Sequence, residues 1–256
     1  ETKSHWYKFY DLRVLYEPER IAKNNLVFST QDSINANLEM NLKLKANNYY
    51  FKELNILDGN IGYLDLRKFS DPYYAGETAI SAMNFLSNSD AIIIDLRNNG
   101  GGYPQMVQLL ASYFFDNEAV LLNTVYKRKE NMTKQFWTLP NVSGKRMPTI
   151  PLFILTSNRT FSAAEEFCYN LQSLKRATII GEITGGGAHP GGRIMATKKF
   201  NVWTPTARSI NPITMTNWEQ VGVMPDIKTT ADEAFKTAYV KVLELLISKN
   251  ATSTDY

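Results

Sequence analysis

The feature that most constrains this chain is an apolar run that ends in a carboxylate and empties into three glycines: Ala91-Ile92-Ile93-Ile94-Asp95-Leu96, followed by Asn98-Asn99-Gly100-Gly101-Gly102. A run without polar alternation has no solvent face, as expected of a strand covered on both sides in a parallel sheet. The glycines permit positive φ and close backbone approach. The pattern returns downstream. Pro151-Leu152-Phe153-Ile154-Leu155 reads as a strand, Thr156 to Thr160 as a turn, and Ser162 to Leu174 as a helix. Thr178-Ile179-Ile180 is a third short strand, feeding a second glycine loop from Thr184 to Gly192. Tyr50 to Ile56 and Ile61 to Leu66 read as strands joined at Asp58-Gly59-Asn60, and Glu77 to Leu86 and Met106 to Phe115 carry helical spacing. Phe200 to Trp203 and its neighbours suggest a hairpin, and Ala231 to Ile247 a closing amphipathic helix. Strands alternating with helices predict an α/β fold with largely parallel strands over residues 49–256. Residues 1–48 read differently: a strand at Leu12 to Tyr16, then an Asn- and Lys-rich stretch from Ala22 to Asn48 in which Leu38, Leu42 and Leu44 fall at uneven spacing. They predict a small N-terminal appendage, or the remnant of a longer N-terminal region.

At 256 residues and 44% hydrophobic, the chain can bury a substantial core. Its net charge of +3 offers no nucleic-acid footprint, and no run approaches the roughly 18 apolar residues of a membrane span. The single cysteine, Cys168, excludes an internal disulfide and any multi-cysteine metal site. With no HExxH and no paired ligands at helical spacing, neither metal nor cofactor is expected. Glu1 to His5 does not read as a signal peptide.

Ligands gather outside the carboxyl ends of parallel strands, so the loops after the apolar runs are where chemistry is sought. The 98–102 loop is neither a P-loop nor a GxGxxG fingerprint; on glycine content alone it serves equally as a tight turn or an anion cradle. Ser162 opens a helix, whose free N–H groups and dipole favour a nearby anion. Yet Ser162-Ala163-Ala164-Glu165 is also a capping box, and read alone Ser162 is a cap. His189, one of two histidines, reads alone as an exposed loop residue, and Glu219 beside Trp218 as a solvated carboxylate.

Five segments occur in order: Ile61-Gly-Tyr-Leu64, Ile92 to Gly102, Thr156-Ser-Asn-Arg-Thr-Phe-Ser-Ala-Ala-Glu-Glu-Phe167, Arg176-Ala-Thr-Ile-Ile-Gly-Glu182 and Gly222-Val-Met-Pro-Asp226. Together they resemble the S41 serine peptidases, the tail-specific or C-terminal processing proteases, with tricorn and the interphotoreceptor retinoid-binding protein as relatives. The resemblance covers about residues 50–230 and implies a ClpP/crotonase-like α/β spiral core. It implies a serine-type endopeptidase in which Ser162 is the nucleophile and the Gly101 and Ala163 N–H groups form the oxyanion hole. Gly100, Gly102, Gly186 and Gly187 would line the substrate, and Glu219 would match the assisting carboxylate of the tricorn-like branch.

The base stays open. The processing branch takes a lysine 25 positions after the serine, which here is Gly187, and no lysine occurs between Arg176 and Thr197. The tricorn-like branch takes an N-terminal histidine, whose place falls on Asp11. His189, His5, or no base at all are the alternatives. The resemblance implies a peptide or protein substrate and a periplasmic, lipid-anchored or secreted location, and it leaves the oligomeric state open. Its retinoid-binding relative implies the non-enzymatic alternative: a weak or inactive homologue that binds a peptide or a small hydrophobic ligand.

Overall fold

The computed structural model describes residues 5–9, 12–16, 30–197 and 200–253; Asp11 and residues 22–29 of the Asn- and Lys-rich stretch lie outside them. In chain order the elements begin with β1 (His5–Phe9), β2 (Leu12–Tyr16), α1 (Thr30–Ala46), β3 (Phe51–Leu57), β4 (Ile61–Leu66) and α2 (Pro72–Leu86). β5 (Ala91–Asp95), α3 (Pro104–Ser112), the strands β6 (Leu121–Lys127) and β7 (Met132–Trp137), β8 (Leu152–Thr156) and α4 (Ala163–Ser173) follow. The chain continues through β9 (Thr178–Gly181), β10 (Gly191–Thr197), β11 (Phe200–Pro205), β12 (Ala207–Ile210), β13 (Ile227–Lys228) and α5 (Ala231–Ser253). Two compact units result: a larger one of Leu44–Thr124, Gln135–Ala188 and Ile210–Tyr256, and a smaller one of Glu1–Lys43, Val125–Lys134 and His189–Ser209.

The larger unit is built on a six-stranded sheet in the order β13-β9-β8-β5-β4-β3. It is parallel throughout except for the β3–β4 hairpin at its edge. Side chains of a strand alternate between faces, and here both faces are covered. Leu64, Leu66, Ile92, Ile94, Leu152, Ile154 and Ile179 join a core with Met83 of α2, Leu110 of α3 and Phe167 of α4. The intervening Ile61, Tyr63, Ile93, Phe153, Leu155 and Ile180 pack with Ala234, Ala238 and Val242 of α5. Each such side chain contributes about 1.5–3 kcal/mol by leaving water. This double burial is why the central strands lack a polar period.

The carboxylate that ends β5 is buried but compensated. Asp95 Oδ2 accepts from the Arg97 guanidinium at 2.6 Å and from the Tyr63 hydroxyl at 2.9 Å. Arg97 Nη1 also donates to the Ala231 carbonyl at 2.7 Å, tying the start of α5 to the end of β5. α2 starts earlier than its apolar spacing predicts, because Asp71 Oδ1 accepts the Tyr73 N–H at 3.0 Å and Pro72 occupies the first turn. Among the described residues no helix is long and apolar enough to cross a membrane.

The smaller unit carries an antiparallel sheet in the order β1-β2-β11-β10. β11 pairs with β2 so that Phe200 lies opposite Tyr16 and Trp203 opposite Arg13. A boundary drawn along the sequence at residue 48 therefore differs from the division in space, where the 189–209 hairpin joins the N-terminal strands. α1 exposes Leu38, Met40 and Leu42, which accounts for the uneven leucine spacing. The third sheet, β12-β6-β7, includes the 121–137 hairpin, whose strands each begin in one unit and end in the other.

Candidate active site

Three loops of the larger unit meet around Ser162. The first comes from β8: the chain turns at Ser157–Thr160, where the Ser157 N–H donates to Thr160 Oγ1 at 3.0 Å and that hydroxyl donates to the Leu96 carbonyl at 2.8 Å. The turn is thereby fastened to the end of β5 before it reaches Ser162. Ser162 itself sits at φ 55°, ψ −120° immediately before α4. A non-glycine residue pays about 1–3 kcal/mol to hold such a backbone, and positions of this kind gather at reacting centres. A strained strand-to-helix turn is also how a nucleophilic serine is lifted clear of its neighbours. Ser162 is half-buried, and Ala163 is the first residue of α4, so its N–H has no acceptor within the helix.

The second loop is the glycine run. Gly101 adopts φ +99°, and a Cβ there would lie 2.7 Å from Ser162 Cβ and 2.9 Å from the Ala163 nitrogen. Only glycine lets this backbone lie against the Ser162 turn. Asn99, fully buried, holds the loop in place: its Nδ2 donates to the Leu66 carbonyl at 2.8 Å, and its own carbonyl accepts the Phe161 N–H at 3.0 Å. Its Oδ1 accepts the Gly101 N–H at 2.8 Å. The Gly101 amide, expected from the resemblance to be an oxyanion-hole donor, takes part here in an Asx turn with the residue two positions before it. Gly100 and Gly102 are exposed on either side of it, Gly102 bridging to Phe69.

The third loop is 184–188, gripped by Glu165. That carboxylate is fully buried and takes four donors: Thr184 Oγ1 and the Gly186 N–H on Oε1, both at 2.6 Å, and the Gly187 and Ser162 N–H groups on Oε2, both at 2.8 Å. The Ser162 bond is the Glu165 half of the capping box visible in the sequence. Burial pushes the Glu165 carboxyl upward, against the pull of these hydrogen bonds. With every lone-pair direction used, it positions backbone and has no capacity left to accept a proton from a serine hydroxyl. On the next residue, Glu166 is buried against Asn123 Nδ2 at 3.0 Å, and burial raises its carboxyl to about 7.

Gly187 is the position at which the resemblance to the processing proteases implies a lysine. A Cβ built there would lie 2.0 Å from Cζ of the Phe161 ring. The space in which a side chain at 187 would start is occupied by the residue preceding Ser162. Glu219 belongs to the same assembly. Buried Trp218 packs on Tyr169 with centroids 5.4 Å apart, Gln220 N–H donates to the Gly186 carbonyl at 3.1 Å, and Glu219 Oε2 accepts the Ala188 N–H at 2.6 Å. Thus Ser162, Ala163, Gly101, Gly186, Gly187 and Glu219 are brought together in the larger unit. His189 belongs to the smaller one, where it lines a cleft with Tyr126, Arg128 and Arg208. Of His5 the backbone alone is described, in β1. Asn99, Phe161 and the full role of Glu165 were not foreseen from sequence; the capping box was the one signal pointing to any of them.

Residues 60–229 match the sequence profile described as peptidase family S41. The chain belongs to peptidase family S41. Among its S41 relatives, a carboxyl-terminal-processing protease of Picosynechococcus sp. is 28% identical over 175 residues, covering 65% of this chain and 38% of the relative. The chloroplastic carboxyl-terminal-processing peptidase 3 of Arabidopsis thaliana is 27% identical, also over 175 residues, covering 66% of this chain and 31% of the relative. The chain thus spans well under half the length of these relatives. A solved photosystem II D1 C-terminal processing protease shares the fold at TM-score 0.55 and 22% identity, over 69% of this chain and 45% of that one.

Proposed function

We propose that this chain performs serine-type peptide-bond hydrolysis, with Ser162 as nucleophile. The observation that carries the reading is the backbone of Ser162, held at φ 55° and ψ −120° at the mouth of α4 with a glycine loop pressed against it. Attack by the hydroxyl on a substrate carbonyl would develop negative charge beside the Ala163 N–H, which the helix leaves unused. The Gly101 N–H is the second donor, shared with Asn99 Oδ1 or released from it as the substrate oxygen arrives. Gly100, Gly102, Gly186 and Gly187 present backbone to the peptide. Glu219 supports the site through the Ala188 amide rather than by proton transfer. Peptides or proteins are the substrates in this reading, and a periplasmic, lipid-anchored or secreted location accompanies it on family membership alone.

A serine hydroxyl needs a base. The chain contains two imidazoles, His5 and His189, and these are the residues assigned to that task. The test is labelling by a fluorophosphonate probe. Labelling that Ser162→Ala abolishes and that falls by orders of magnitude in His189→Gln or in His5→Gln supports the reading and names the base. A folded sample that takes no label refutes it.

A second reading has its own observation: the Phe161 ring over Gly187 closes the family's lysine position. In that reading the chain is an inactive homologue that binds a peptide or a small hydrophobic ligand. Saturable thermal stabilisation by such a ligand, retained in Ser162→Ala and accompanied by no labelling, would favour it.

A further inference from the structure

The whole-chain charge of +3 conceals a sharp asymmetry. The segments 125–134 and 189–209 of the smaller unit together hold eight Lys or Arg and one acid, Glu130. They converge on an open cleft of about 790 Å³ lined by Arg128, Lys129, Arg208, His189, Tyr126 and the Pro205-Thr206-Ala207 backbone turn. No carboxylate is among its described lining. Among the described residues none of Arg128, Lys129 and Arg208 enters an ion pair. The frame is fixed by main chain: the Thr206 and Ala207 N–H groups donate to the Pro190 carbonyl at 3.0 and 3.1 Å, and the Arg128 N–H to the Thr206 carbonyl at 3.3 Å. Tyr126 is oriented by its hydroxyl, which donates to Asn131 Oδ1 at 3.0 Å. Three chain segments are thus stapled around one concavity, two of them bringing the cations Arg128, Lys129 and Arg208 to it.

We propose that this cleft binds an acidic segment of a peptide, with Arg128, Lys129 and Arg208 receiving its carboxylates. Uncompensated like charges around a concavity raise the local concentration of anions and speed their encounter. The volume falls within the range of small-ligand sites and admits a few side chains. Its lining alternates cations with the apolar surfaces of Tyr126, Pro205 and Ala207, which matches carboxylates borne on carbon stems. Single-stranded nucleic acid would call for successive aromatic platforms, and the described lining holds one aromatic ring. The preference for anions stands on this geometry alone; the choice of a peptide rests on the peptidase reading.

The experiment is fluorescence anisotropy with the full chain carrying Ser162→Ala, so that turnover plays no part. The probes are a fluorescein-labelled peptide of alternating Glu and Ala, its Lys-Ala counterpart, and a single-stranded oligonucleotide of matched charge. The Glu-Ala peptide is expected to bind saturably, more weakly as salt rises, and about tenfold more weakly in the Arg128→Glu, Arg208→Glu double variant. The Lys228→Glu, Lys236→Glu double variant, in the larger unit, lowers the net charge by the same four units and leaves that binding in place; circular dichroism confirms that each variant folds. Equal binding of the Lys-Ala peptide, or binding indifferent to the double reversal, overturns the proposal. Much tighter binding of the oligonucleotide overturns it in favour of nucleic acid. If Ser162 of the unsubstituted chain takes no label while the Glu-Ala peptide still binds, the peptidase reading fails and the anion site stands.

Discussion

Glu166 is placed so that removing its charge should strengthen the protein. Its carboxyl lies in the core side of α4 with one polar partner, Asn123 Nδ2 at 3.0 Å, and burial lifts it from 4.5 to about 7 against that hydrogen bond. The folded chain therefore holds this proton more tightly than the unfolded chain. Stability from this group is complete below about pH 4.5, falls as pH rises toward 7, and is flat above that. A rise of that size corresponds to at most about 3 kcal/mol lost on ionisation. Glu166→Gln keeps a carbonyl oxygen for Asn123 and carries no charge. At pH 8 the variant should be more stable than the parent by up to about 3 kcal/mol, or roughly 6–12 °C in Tm for a chain of this size. At pH 4.5 the two should nearly coincide. Urea denaturation of both proteins at the two pH values measures this, and taking the difference cancels the other carboxylates. A gap between parent and variant that is the same at both pH values would refute the reasoning, as would a variant less stable at pH 8.

Three further outcomes follow from the site. Gly101→Ala introduces a Cβ 2.7 Å from Ser162 Cβ at φ +99°, and should abolish fluorophosphonate labelling while lowering Tm. Glu165→Ala strands the four donors that its carboxylate now receives, and should cost about 3–5 kcal/mol in chemical denaturation together with loss of labelling. Gly187→Lys should be strongly destabilising against an intact Phe161 and much less so in a Phe161→Ala background; equal costs in the two backgrounds, measured as a double-mutant cycle, would contradict the steric account.

The parts of the fold legible in the sequence were those whose physics is local or fully buried. β4 and β5 announce themselves because every residue from Ile61 to Leu66 and from Ala91 to Asp95 is buried. The start of α4 is readable because a capping box is a relation within four consecutive residues, although its carboxylate does far more than cap. The β6–β7 hairpin went unread: its strands are mostly half-buried or exposed, and its charged turn from Lys127 to Asn131 carries no glycine. Asn99, Phe161 and Gly187 matter through contacts set by three separate loops, and no spacing along the chain encodes those. The division into two units was hidden for the same reason, since β2 and β11 pair across most of the sequence.

The two-sided packing of the central strands has a consequence for how this protein can vary. In an ordinary half-wet strand, sliding by one position swaps a greasy side for a wet one, and a bulge can absorb the error. In β4, β5 and β8 no such refuge exists: one inserted residue would send each side chain of the α2–α4 layer into the α5 layer and the reverse, Tyr63 trading places with Leu64. Length changes are consequently confined to the connections, and the connections at one end of these strands are the loops that surround Ser162.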